Sequence, residues 1–181
     1  MTSDFDRTAL PADLVTLLDA FPRQLWPENP GFHGLAAFWL DRHLAFRKLM
    51  TLLRDDAVAV AEGRLDPDQW RPRLARLGSH LVQDLTGHHQ IEDSAYFPQM
   101  QRLEPRMERG FDLLDKDHDH LHHMIDGFVT AANGLLQAAK PDRTDGARLI
   151  ETLDPFERFM LRHLSDEEDL VIPLILKHRL D

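Results

Sequence analysis

Apolar residues recur at steps of three and four along most of this chain, and strand-like alternation bounded by turns is hard to find, so the pattern predicts an all-α protein. The first long stripe joins Ala36, Trp39, His43, Phe46, Met50, Leu53, Ala57 and Val60, and predicts a helix from Gly34 to Glu62 that stops at Gly63. A second stripe, Leu74, Leu77, Leu81, Leu85, His88 and Glu92, follows Asp66 and Pro67, an N-cap with proline in the first turn. Pro98 should kink or end that helix, and Glu104 before Pro105 marks the crossing into the second half. The third stripe runs through Phe111, Leu114, His118, Leu121, His122, Ile125, Phe128 and Ala132 and stops near Lys140 and Pro141. The fourth carries Leu149, Leu153, Phe156, Met160, His163, Glu167, Leu170 and Leu174. Ahead of them lies a short amphipathic lead, Ala12 to Ala20, expected as a helical segment, and then an irregular stretch with Pro22, Pro27, Pro30 and Gly31. Short connections between long neighbours predict an antiparallel up-down-up-down four-helix bundle over residues 32–181, behind a lead over 1–31, as one domain.

The polar members of the stripes share an offset. His43 and His118, His88 and His163, Glu92 and Glu167, and Pro98 and Pro173 are each separated by 75 positions, whereas the mate of His122 is Arg47. Scattered surface histidines would not keep one offset across four segments, so the chain reads as a duplicated helical hairpin with two half-sites. Because these residues continue apolar stripes, they should point inward. An isolated buried carboxylate costs several kcal/mol, on the order of what pairing or a bound cation must offset. The i to i+4 spacing of His88 with Glu92, His118 with His122, and His163 with Glu167 sets each pair on one helix face.

Composition narrows the metal. There is no cysteine, so thiolate zinc sites, iron–sulfur ligation and disulfides are excluded, and any ion must be held by nitrogen and oxygen. The candidate ligands are His43, His88, Glu92, His118, His122, His163 and Glu167. Five imidazoles, two bridging carboxylates and one oxo or hydroxo bridge fill all but one position around two octahedral ions. A nitrogen–oxygen set with a vacancy suits two irons, with manganese next; structural zinc closes at four ligands. Glu168 is the second choice to Glu167, because i+5 turns away from the histidine on a regular helix while a local bulge would bring it back.

These residues resemble the hemerythrin-like family, the His-His-Glu cation-binding domain. The order His43, then His88 with Glu92, then His118 with His122, then His163 with acids after it, is similar to that family's ligand order over about 125 residues, as are the phrases His89-Gln90-Ile91-Glu92-Asp93 and Glu167-Glu168 followed by Pro173. The resemblance implies that His118, His122 and His163 hold one iron and that His43 and His88 hold the other, which keeps the open position. It implies a protein that binds, carries or senses dioxygen or nitric oxide. A di-iron enzyme acting on peroxide is the alternative, for which Tyr96 or an outer aspartate would supply a proton, and iron handling or metal-cluster repair ranks last.

The remaining histidines, His33, His80, His89, His120, His123 and His178, lie off the stripes or lack a mate, and are read as surface or outer residues. Asp93, Asp117, Asp119 and Asp166 are candidates to orient ligand imidazoles. At 181 residues with a net charge of -10, the chain suits one domain with a sizeable core and repels nucleic acid. Neither a signal-like leader nor a run of about 18 apolar residues is visible. A cytoplasmic protein is expected.

Overall fold

The computed structural model describes residues 9–140 and 142–181, and the helices begin and end where local chemistry directs. Helix α1 spans Gly34–Ala61. Its end is a left-handed glycine turn: Gly63 has φ 73, its N–H donates to Val60 O at 2.9 Å, and the Arg64 N–H donates to Ala59 O at 2.7 Å. Helix α2, Pro67–Ile91, starts as expected, with Asp66 Oδ1 accepting from the Asp68 N–H at 2.8 Å. It does not run on unbroken. Glu92–Tyr96 form a π-helical turn and Phe97–Leu103 form α3, with Pro98 in the first turn of α3. After a 3₁₀ turn at Pro105–Met107 come α4, Glu108–Gln137, and α5, Arg143–His178. No strand occurs among the described residues.

The lead differs from its prediction. Ala12 to Ala20 form successive turns instead of a helix, with Leu14 N–H to Pro11 O and Leu18 N–H to Val15 O both at 2.9 Å. The stretch predicted to be irregular holds a 3₁₀ helix, Arg23–Glu28. Pro141 and the polar residues Met1 to Arg7 lie outside the described residues.

Two compact units emerge: residues up to Leu44 with His89–Asp119 and Leu161–Asp181, and Ala45–His88 with His120–Met160. The first has a core of Trp26, Trp39, Phe97, Met100, Phe111 and the buried run Leu170 to Ile172, covered by Leu10, Leu14 and Leu17 of the lead. In the second, Phe46, Met50, Leu81, Phe128 and Phe156 are at most 1 % exposed, and the rings of Phe128 and Phe156 stand 6.3 Å apart. There α1 and α5 approach so closely that a Cβ on Gly146 would collide with the Ala57 carbonyl oxygen and stand 2.7 Å from Ala61 N. Backbone cannot step aside as a side-chain tip can. Gly146→Ala should therefore cost about 1–3 kcal/mol as overpacking. Gly127→Ala, with nothing within 4 Å of its Cβ, should gain about 0.5–1 kcal/mol from helix propensity. Opposite shifts in the thermal midpoint would bear this out, and a harmless Gly146→Ala would refute the close approach.

Candidate metal centre

The first unit gathers polar side chains where its core should be driest. Helix α1 brings His43, one turn after Trp39; the end of α2 brings His89; the π turn opens on Glu92; α4 brings His118; and α5 brings His163 and Glu167. All six are at most 1 % exposed. Such π turns cluster at functional sites, and this one carries a candidate ligand as its first residue.

Their inward atoms converge. Glu167 lies between two imidazoles, Oε1 at 3.3 Å from His43 Nε2 and Oε2 at 3.3 Å from His163 Nε2. Glu92 Oε2 is 3.7 Å from His118 Nε2. The rings of His89 and His118 stack at 4.1 Å and 13°, and His163 meets His118 edge-on at 4.8 Å. Ligand atoms of His89, His118 and His163 lie within 4.8 Å of one another, as do those of His43, Glu92 and Glu167. Two ligands about 2.1 Å from a shared ion are at most about 4.2 Å apart, so a bound cation would draw each set slightly closer. The buried Nε2 atoms of His118 and His163 complete no hydrogen bond of ordinary geometry, so a cation fits what the protein leaves there.

The outer nitrogens are turned to carboxylates. His118 Nδ1 is 2.7 Å from Asp93 Oδ1, His43 Nδ1 is 3.0 Å from Glu168 Oε1, and His163 Nδ1 is 3.6 Å from Asp117 Oδ2. A proton on each Nδ1 leaves Nε2 as the lone-pair donor toward the interior, the usual support for a metal-ligating imidazole. Glu168 therefore sits on the outer face of His43 and Glu167 on the inner one. Asp166 serves otherwise: it accepts from Arg162 Nη1 at 3.1 Å and from the Leu10 N–H at 3.0 Å. Asp119 is exposed. Trp39 Nε1 donates to Glu167 Oε1, and Tyr96, half-buried, packs against Trp39 at 5.1 Å and 72°.

Electrostatics records how unsuited this pocket is to bare charge. Burial, and then the charge of Glu167, push the Glu92 carboxyl well above its ordinary value of 4.5. Burial pulls His43 down, but Glu167 and Glu168 outweigh it and the net shift is upward. His163 follows the same balance, with Asp117 and Glu167 prevailing over burial. His118 goes down, because burial outweighs its bond to Asp93.

Five of the seven sequence-predicted ligands, His43, Glu92, His118, His163 and Glu167, meet in this unit. The other two belong to the second unit: His88 is half-buried with its ring 5.1 Å from that of Phe46, and His122 is half-buried on α4. The residue that sequence reasoning passes over is His89, read as a surface or outer residue and found fully buried against His118. A signal was present. Its mate at the 75-residue offset is Leu164, itself 0 % exposed, and His89 follows Leu85 by four and precedes Glu92 by three, which keeps it within a core-facing stripe.

Among known proteins, the profile of the hemerythrin HHE cation-binding domain matches residues 35–178. No curated protein and no solved structure matches the chain significantly. The match begins at the second residue of α1, ends on the last residue of α5 and takes in every buried histidine and glutamate of the centre. The chain belongs to the hemerythrin family of HHE cation-binding domains.

Proposed function

We propose that the chain binds a pair of iron ions and uses an open position on them to bind dioxygen or nitric oxide, as a carrier or a sensor. The observation that carries this reading is the burial of two carboxylates, Glu92 and Glu167, at 0 % exposure beside the inward nitrogens of His43, His118 and His163. Left bare, that grouping is destabilising; the carboxylates and imidazoles together would hold a pair of cations and be neutralised by them. The donor set is all nitrogen and oxygen, which favours iron, then manganese, over closed four-coordinate zinc.

In this reading His89, His118 and His163 hold one ion, and His43 holds the other. Glu92 and Glu167 lie between them. His88, one residue before His89 and four before Glu92 in the sequence, is the further candidate ligand. His89 thus takes the place that the resemblance gives to His122. Bound there, iron supplies a redox-active ion with room for a small ligand. The chain's own residues hold the His43 and His118 imidazoles by their outer nitrogens, fix Glu167 through Trp39, and exclude water with Trp39, Phe97 and Phe111. The aspartates that could hand over a proton, Asp93 and Asp117, face outer imidazole nitrogens, and the Tyr96 ring stands edge-on to Trp39, so the arrangement favours binding over peroxide chemistry. No helix among the described residues is long and apolar enough to cross a membrane.

The test is metal content per chain after purification with iron, followed by the visible spectrum on reduction and on return to air. Two irons with an absorption band that bleaches and recovers would support reversible binding. No metal, or a single zinc, would overturn the reading.

A further inference from the structure

The 3₁₀ helix of the lead places one cation at the back of the centre. Arg23 donates from Nη1 to Glu168 Oε2 at 2.8 Å, from Nη2 to Ser165 O at 2.7 Å and from Nε to Asp169 Oδ1 at 2.5 Å. Its guanidinium also lies 5.1 Å from the Trp26 ring centroid. The Glu168 side chain is 5 % exposed against 37 % for that of Arg23, so the pair spans from surface to interior. The second oxygen of Glu168 faces His43 Nδ1 at 3.0 Å, and His43 Nε2 faces Glu167. Glu168 thus divides its two oxygens between an arginine of the lead and an imidazole of the centre.

We propose that Arg23 is a positioning residue for His43, acting through Glu168. The planar fork fixes the carboxylate plane, since three donors on one rigid group go to three acceptors on consecutive turns of α5. The carboxylate in turn fixes the plane of the His43 ring and directs its Nε2 inward. Both residues next to Glu167 on its C-terminal side, Glu168 and Asp169, are held by the same guanidinium. Arg23 lies outside the matched family span of residues 35–178, so the relay comes from a segment that span does not include. Its removal need not release the lead. The Leu10 N–H stays bonded to Asp166, and Trp26 stays buried with Nε1 bonded to Phe21 O at 2.7 Å.

The inference rests on the metal-binding reading, and its test separates the two. Cobalt(II) is titrated into the metal-free full-length chain against a competing chelator, for wild type, Arg23→Gln, Glu168→Gln and the double variant. Proton NMR of the cobalt-loaded protein follows the exchangeable Nδ1–H of each ligating imidazole, and circular dichroism checks helix content. Each single variant should bind cobalt about 10–100-fold more weakly, the range for losing an outer partner of a metal-ligating histidine. The double variant should lose no more than the worse single one, because both break one chain of contacts. One Nδ1–H signal, that of His43, should disappear through fast exchange in every variant while helix content is unchanged. Losses that multiply in the double variant, or an Arg23→Gln protein that keeps wild-type affinity and the full set of Nδ1–H signals, would overturn the relay. Wild-type protein that takes up no cobalt would instead overturn the metal reading, and the relay with it.

Discussion

Glu92→Ala should reduce bound iron from two ions per chain to one or none. Glu92 lies beside His118 Nε2, shares its pocket with Glu167 and sits at 0 % exposure, so its loss removes a ligand from both proposed ions. If four-ligand sites are worth about 10–16 kcal/mol, one ligand averages about 3 kcal/mol, or roughly a hundredfold in affinity. The same arithmetic separates two histidines. His89→Ala should weaken binding by about a hundredfold, whereas His122→Ala, if His122 is not a ligand, should stay within about threefold. Metal analysis after gel filtration, with chelator competition for the affinities, reads all three. An unchanged Glu92→Ala would overturn the ligand assignment, and a His122→Ala as damaging as His89→Ala would return the centre to the assignment by family order. Glu92→Gln sharpens the point, since it keeps the volume and removes the charge. Metal-free, it should be more stable than wild type at neutral pH; given iron, less.

Removing metal should produce the second large effect, and one that grows with pH. Ligand held at about a thousand times its dissociation constant stabilises a site by about 4 kcal/mol. For a chain of this size that is roughly 8–16 °C in the thermal midpoint for one ion, and more for two. In the metal-free protein, Glu92, His43 and His163 all have folded-state affinities for protons above their ordinary ones. A raised group stabilises the fold at pH below its ordinary value and loses that contribution as pH rises through the raised one. Metal-free stability should thus decline from about pH 4.5 upward for Glu92 and from about pH 6.5 upward for the two histidines. His118, shifted down, opposes this trend. Metal loading prefers the deprotonated ligands and releases protons, so the gap between loaded and free protein should widen from pH 5 toward pH 8. Melting curves with and without chelator across that range measure it. A gap that narrows with rising pH would mean that the buried carboxylates do not face a cation.

Much of this was readable before any coordinates, and the parts that were not have physical reasons. The caps at Asp66 and Gly63 and the burial of His43, Glu92, His118, His163 and Glu167 follow from spacing, because a helix carries its neighbours' geometry within four residues. The preference for Glu167 over Glu168 as the inner carboxylate rested on the same regularity. His89 escaped because a repeat of residue types marks only positions with the same chemistry at both ends of the offset, and here one end is histidine and the other leucine. The contacts of Arg23 reach across 142 to 146 positions, and nothing local marks them. The lead's turns likewise depend on Leu10, Leu14 and Leu17 finding a core to cover, where helical propensity alone favoured a short helix.

The π turn breaks the correspondence that the 75-residue offset sets up along the sequence. A turn of five residues hydrogen-bonded to the sixth holds one residue more than the α-helix allots, so everything after it is rotated by about 100° relative to what came before. The mate of this segment, Glu167 to Val171, lies within uninterrupted α5. Helical phase counted from Glu92 and from Glu167 therefore differs in the residues that follow them. Past that point equal offset no longer means equal direction: Tyr96 and Val171 are 75 positions apart and differ in azimuth, and Pro98 and Pro173 stand on differently phased backbones. Equal offset in the sequence is therefore a guide to equal direction only as far as the two glutamates, and the residues beyond them answer to different helical phases.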